Sequence, residues 1–214
     1  LVSFYEKKSQ IMYRYMRPRY ASNPITDLME NVSKGYMILL PDIHFNVGSS
    51  VDDMLECIEA AVDKAIELGY ADPDRVALCG HSYSGYGGVY IAARSKKFAA
   101  GVVMAGVMNY ISDFNHLWGY EADRKVGSGG VNAHRYNIYE QGRMGTSPYD
   151  DYDLYWSQSP VAYVKEMTTP LLCIHGESDN TVAWIEAVEL YNAMRFNGRN
   201  IIFLSYAKEG HSLS

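Results

Sequence analysis

Short apolar runs alternate along this chain with stretches in which apolar residues recur at helical spacing. Residues 1–5, 36–40, 75–79, 100–107, 170–175 and 200–206 read as strands. Helical patterns fall at 25–33, 85–95 and 182–197, the last with Gly198 just past its end. A longer one starts near Ser50, carries Met54, Leu55, Ile58, Ala61, Val62 and Ala65 on one face, and is closed by Gly69. Ser50 with Asp53 three residues on predicts an N-cap with a capping-box-like partner. Strands alternating with helices predict βαβ units and a mostly parallel sheet. The stretch 110–163 breaks this rhythm. It is rich in Tyr, Trp, Gly and Asp and is expected to hold short helices that wall the entrance to a site. With no repeats, low-complexity tracts or linkers, residues 1–214 read as one domain.

Composition narrows the function classes. Of 214 residues, 48% are hydrophobic and 21% charged, the balance of a globular protein with one large core. A net charge of −6, with no Lys/Arg run, disfavours nucleic acid or an anionic membrane surface as the main partner. The apolar runs are much shorter than the ~20 residues that span a bilayer. Three cysteines, Cys57, Cys79 and Cys173, make no disulfide framework and leave the compartment open. The chain begins in a strand pattern without Met or a leader and stops three residues after a His, which reads as a piece of a longer protein.

Chemistry concentrates at Cys79-Gly80-His81-Ser82-Tyr83-Ser84-Gly85-Tyr86-Gly87-Gly88, where a strand meets a Gly-rich turn that opens a helix. A Ser at the apex of such a turn has its hydroxyl exposed above the sheet edge, the geometry of a nucleophile elbow. The usual pattern has Gly two residues after the nucleophile, and here Ser84 stands there. A phosphate cradle is the competing reading, but neither Gly-x-Gly-x-x-Gly nor a Lys-Ser/Thr pair lies at this junction. A merely structural turn is the third.

A Ser hydroxyl needs a general base, and the base needs an orienting carboxylate. In an elbow-type hydrolase the chain order is Ser, acid, His. His211 follows the last strand, in the base's position. His175 ends an apolar strand and reads as structural. The loop after that strand offers Glu177 and Asp179, and Asp179, deeper in the loop and next to the following helix, is favoured as acid. His44, His116 and His134 are scattered without ligand spacing, so no metal or other cofactor is expected.

Together these motifs resemble the catalytic domain of the prolyl oligopeptidase family of serine peptidases. Asp72-Pro73-Asp74-Arg75-Val76, the elbow, Ser159-Pro160, Thr169 to Gly176 with Asp179 and Val182, and Glu209-Gly210-His211 carry the likeness over nearly the whole chain. The resemblance implies an α/β-hydrolase fold, a mostly parallel central sheet with helices on both faces. It implies catalytic Ser82, Asp179 and His211, and an oxyanion site made by the Tyr83 N–H and the Tyr5 hydroxyl, although Tyr5 is also readable as a packing aromatic. It further implies a substrate pocket lined by Tyr83, Val107, Tyr110 and Val182, a short peptide as substrate, and an upstream β-propeller. An esterase of the same fold is the nearest alternative, though no His-Gly-Gly loop follows the first strand. A non-catalytic binding module that kept the fold is the other. Export or retention in the cell is not legible.

Overall fold

The computed structural model describes residues 1–14, 28–118, 120–121, 124–125 and 131–213. Its centre is a five-stranded, all-parallel sheet in the order β1-β2-β3-β8-β9, formed by β1 (Val2–Ser3), β2 (Ala77–His81), β3 (Ala100–Met104), β8 (Leu171–Gly176) and β9 (Ile201–Tyr206). The intervening β4 (Leu117–Trp118) pairs with β7 (Val131–Asn132), and β5 (Tyr120–Glu121) with β6 (Arg124–Lys125), as two small antiparallel ribbons.

The large core lies between the sheet and three helices: α2 (Ser50–Glu67), α3 (Tyr83–Arg94) and α7 (Ile185–Phe196). Val51, Met54, Ile58 and Val62 of α2 are all buried there, as the helical spacing predicts. The inner strand residues Leu78, Val103, Leu171 and Cys173 meet them from the sheet side. On the opposite face a smaller buried cluster joins Cys79, Met104, Ala105 and Ile174, with Leu1, Val102, Leu172 and Leu213 packed around it. The short α1 (Leu28–Ser33) lines a groove with Ile38 and Leu40.

Three expectations need correction. Residues 36–40 form no strand; they make one bridge, Leu39 with Val2, through Leu39 N–H to Leu1 O (2.8 Å) and Ser3 N–H to Leu39 O (3.0 Å). Pro41 lacks the N–H that would extend the ladder, and Tyr36 and Met37 are exposed. Ser50 is the first helical residue of α2, not its cap; Ser49 holds the cap position, and Asp53 accepts from Ser49 Oγ (3.2 Å), Asn46 N–H (2.6 Å) and Asn46 Nδ2 (3.1 Å). A preceding Asn thus anchors the carboxylate that the capping pattern assigned to Ser50. The strand expected at 100–107 stops at Met104, because Ala105 turns into the left-handed region at φ 49°. The predicted helix at 25–33 is seen from Leu28; residues 25–27 lie outside the described residues.

Between β3 and β8 the chain forms α4 (Tyr110–Phe114), α5 (His134–Tyr139), α6 (Tyr152–Ser157) and a 3₁₀ segment, Pro160–Glu166, with the two ribbons. These are the short elements that the aromatic-rich stretch predicted.

Candidate active site

Ser82 stands between the end of β2 and the start of α3 with φ 60° and ψ −121°, a conformation non-glycine residues rarely adopt. The turn closes because its neighbours are small. A Cβ on Gly80 would lie 2.0 Å from the Ser84 carbonyl oxygen, and one on Gly85 would lie 2.4 Å from that of Met104. Ser84, where the pattern has Gly, is buried and useful: its Oγ accepts the His81 N–H (2.9 Å) and donates to the His81 carbonyl (2.9 Å). Its hydroxyl braces the elbow instead of disturbing it.

The structure brings Ser82, His211 and Asp179 into one chain of hydrogen bonds at the C-terminal edge of the sheet. Ser82 Oγ donates to His211 Nε2 (2.8 Å), and His211 Nδ1 donates to Asp179 Oδ2 (2.8 Å). Each side chain sits on the loop after a different strand, β2, β9 and β8. The loop bearing His211 is drawn over β8: Glu177 N–H donates to Tyr206 O and Ser178 N–H to Glu209 O (both 2.9 Å). It passes so close that a Cβ on Gly176 would sit 2.3 Å from Glu209 O. His81 Nε2 donates to the carbonyl of His211 itself (2.7 Å), tying elbow to base loop. Burial lowers the proton affinity of the His81 imidazole.

Asp179 accepts four hydrogen bonds. Oδ1 takes the N–H groups of Thr181 (2.8 Å) and Val182 (3.0 Å), an Asx-type turn; Oδ2 takes His211 and also His175 Nε2 (3.0 Å). Burial alone would raise its pKa, but the bonds from His175 and His211 and the turn N–H groups outweigh this and hold the carboxyl well below the usual range. It is therefore a carboxylate at any ordinary pH. Glu177, the alternative, is exposed and accepts from Ser205 Oγ (2.7 Å) instead.

His175 is the contributor sequence reasoning missed. It is fully buried, and its Nε2–H is shared between Asp179 Oδ2 and the carbonyl of Val182 (3.0 Å). The available signal was its position four residues before the acid, at the end of the same strand. Its role is structural, as read from sequence, and the group it supports is the Asp179 carboxylate.

A cleft of about 260 Å³ opens beside Ser82 and His211, and Tyr5, Tyr83, Val107, Tyr110 and Val182 all line it. Every residue predicted for the site except the buried Asp179 thus faces one space. Tyr86, Trp118, Tyr136, Gln141 and Thr181 complete the wall and were not foreseen. Tyr5 packs edge-on to Tyr83, ring centres 6.1 Å apart, and its hydroxyl lies 3.4 Å from Gln141 Oε1. Tyr83 begins α3, so its N–H has no acceptor within the helix and is available to a ligand. Burial pushes the Tyr83 phenol up to about 12, and Arg143 Nη1 donates to its oxygen (3.3 Å). The same guanidinium pairs with Glu6 (3.0 Å) and lies 4.3 Å over the Phe45 ring. Among the described residues no group of three or more His, Cys, Asp or Glu side chains is arranged to hold a metal, and no helix is long and apolar enough to cross a membrane.

Comparison with known proteins places this geometry. The model of the prolyl oligopeptidase family matches residues 47–214. The chain is 25% identical over 167 residues to the uncharacterized peptidase YuxL of Bacillus subtilis, covering 78% of this chain and 22% of that protein. It is 29% identical over 155 residues to dipeptidyl-peptidase 5 of Porphyromonas gingivalis, covering 71% and 20%. The chain spans about a fifth of the length of these curated relatives. Among solved structures, the acylaminoacyl peptidase of Pyrococcus horikoshii superposes with a TM-score of 0.73 at 18% identity, over 98% of this chain and 32% of that one. That likeness shows the fold, an α/β-hydrolase. With Ser82, Asp179 and His211 all inside the matched span, the chain belongs to the prolyl oligopeptidase family.

Proposed function

We propose that this chain carries the active site of a serine peptidase that cleaves short peptides by acyl transfer, with Ser82 as nucleophile, His211 as general base and acid, and Asp179 as the carboxylate that orients it. The observation that carries the reading is the unbroken Ser82–His211–Asp179 hydrogen-bond chain beside an aromatic cleft. Relatives named as peptidases support the reaction class. In the first step Ser82 Oγ attacks the peptide carbonyl while its proton passes to His211 Nε2. Asp179 keeps the Nδ1–H tautomer and balances the imidazolium charge. The Tyr83 N–H and the Tyr5 hydroxyl receive the oxyanion. His211 then gives its proton to the leaving amine. A water, deprotonated by the same nitrogen, attacks the acyl ester and releases the acid and Ser82.

The pocket for the residue before the scissile bond is assigned to Tyr83, Val107, Tyr110 and Val182. Its aromatic, apolar walls suit a small apolar or proline side chain. An upstream β-propeller, restricting access to short peptides, is part of the same proposal for the full-length protein. Labelling of that protein by a fluorophosphonate, with the adduct located on Ser82, tests the reaction class. Comparing kcat/KM on a peptide amide and its matched ester separates peptidase from esterase, since an esterase leaves the amide uncut. A folded protein that takes up no label is a binding module and ends the proposal.

Tyr5 gives a sharper test of the oxyanion site. Its hydroxyl has only a long contact to Gln141, so little is lost when it turns to a substrate. Tyr5→Phe should lower kcat by about 10²-fold with KM little changed, the signature of a donor used in the transition state. A loss below about threefold would reject the role and leave Tyr5 as a packing aromatic.

A further inference from the structure

Glu186 is a carboxyl group with no exposed surface, in the first turn of α7, that the reaction above does not use. Its Oε2 accepts the N–H groups of Met108 (2.7 Å) and Asn109 (2.9 Å), and its Oε1 lies 3.1 Å from Ser112 Oγ. These bonds reach from α7 to the loop that follows β3, the segment that carries Val107 and Tyr110 into the cleft. Val182, which also lines the cleft, lies four residues before Glu186, just ahead of α7. One carboxyl group thereby ties the loop after β3 to the helix that follows Val182.

The hydrogen bonds around Glu186 close fully when the acid carries a proton. Ser112 Oγ lies 3.1 Å from Glu186 Oε1 and 3.0 Å from the Asn109 carbonyl, which also accepts the Asp113 N–H (3.0 Å). With Glu186 protonated, Oε2 receives two N–H groups, Oε1–H donates to Ser112, and Ser112 donates to Asn109. With Glu186 ionised, Ser112 turns its one hydrogen to Oε1, and the Asn109 carbonyl keeps the Asp113 N–H alone. Burial pushes the group up to about 8, with the negative charge of Asp113 on α4 adding to the rise and that of Glu189 on α7 contributing less; the N–H groups of Asn109 and Met108 oppose it. The positive end of α7 also favours the ionised form, and burial outweighs it.

We propose that Glu186, in its protonated form, is a positioning residue that sets the shape of the substrate pocket, and that the pocket loosens when the proton leaves. This rests on the serine-hydrolase reading. The native state holds a proton that the unfolded chain releases near pH 4.5, so stability falls as pH rises from about 4.5 to about 8.

The test uses two covalent probes on the full-length protein. Diisopropyl fluorophosphate needs the reactive serine but little of the pocket; an alanyl diphenyl phosphonate must also seat its side chain. The ratio of their inactivation rates cancels whatever pH dependence the serine's own reactivity has, since both probes share it. In the wild type this ratio, phosphonate over fluorophosphate, should fall about fivefold or more between about pH 7 and pH 9.5. Glu186→Gln has the shape and donors of the protonated acid, so its ratio should stay within about twofold of the neutral wild type at both pH values. Glu186→Ala should lower the ratio about tenfold at neutral pH. A wild-type ratio flat with pH, an equal fall in Glu186→Gln, or a Glu186→Gln ratio as low as that of Glu186→Ala overturns the proposal alone. Absence of any fluorophosphate labelling overturns the serine-hydrolase reading and this one with it.

Discussion

Ser82→Ala lowers kcat on a peptide amide by about 10⁶-fold and abolishes fluorophosphonate labelling, while the far-ultraviolet circular dichroism stays that of the wild type. The size follows from the mechanism: without Oγ there is no acyl-enzyme, and His211 and Asp179 have nothing to activate. Only binding and the oxyanion donors persist, which leaves a residue of about 10³- to 10⁴-fold over the uncatalysed reaction. The fold survives because Ser82 makes its structural contacts through the backbone, with its N–H donating to Met104 O (2.8 Å) and its carbonyl accepting the Tyr86 N–H (3.0 Å). A variant keeping more than about a hundredth of the wild-type kcat would show that the nucleophile lies elsewhere.

Asp179→Asn should lower kcat by about 10⁴-fold with a smaller change in KM. Oδ2 accepts from His211 and His175, and Oδ1 from two backbone N–H groups. An amide can keep one oxygen on the backbone pair, but its NH₂ then faces two imidazole nitrogens. His211 answers by moving its proton to Nε2, where it can no longer accept from Ser82. The pH profile checks the assignment from another side. Because the carboxyl of Asp179 is held well below its usual range, its own protonation does not shape the acid limb of kcat in the wild type. Glu177→Gln, at the exposed alternative, should change kcat by less than about twofold. Equal losses in the two variants would refute the choice of acid.

The elements visible in the sequence are those whose signal is local. The elbow is dictated by sterics over a few residues, so Gly80, Ser82 and Gly85 announce it. The long amphipathic α2 declares its buried face by spacing alone. Asp179 was preferred to Glu177 for its place deeper in the loop and next to the following helix, and in the structure it accepts the N–H groups two and three residues further on. Features that depend on how a loop turns or on distant partners were not visible. His175 reads as an ordinary strand-end histidine, because spacing alone does not show the loop bringing Asp179 back onto it. Glu186 sits at a helical position where a solvated carboxylate would be unremarkable, and only the loop after β3, about 78 residues earlier, buries it. The run at 36–40 has strand composition but a single bridging partner, because composition cannot say how far a neighbour's ladder extends.

The order of the strands has a consequence for how this protein fails. The nucleophile rests on an interior strand gripped from both sides, whereas the base hangs from β9, which pairs on one side only among the described residues. Thermal fraying begins at borders, where each backbone has half the neighbours. Warming should therefore part the imidazole from the hydroxyl before the interior strands separate. Hydrolytic competence would then report on one margin of the molecule rather than on its body.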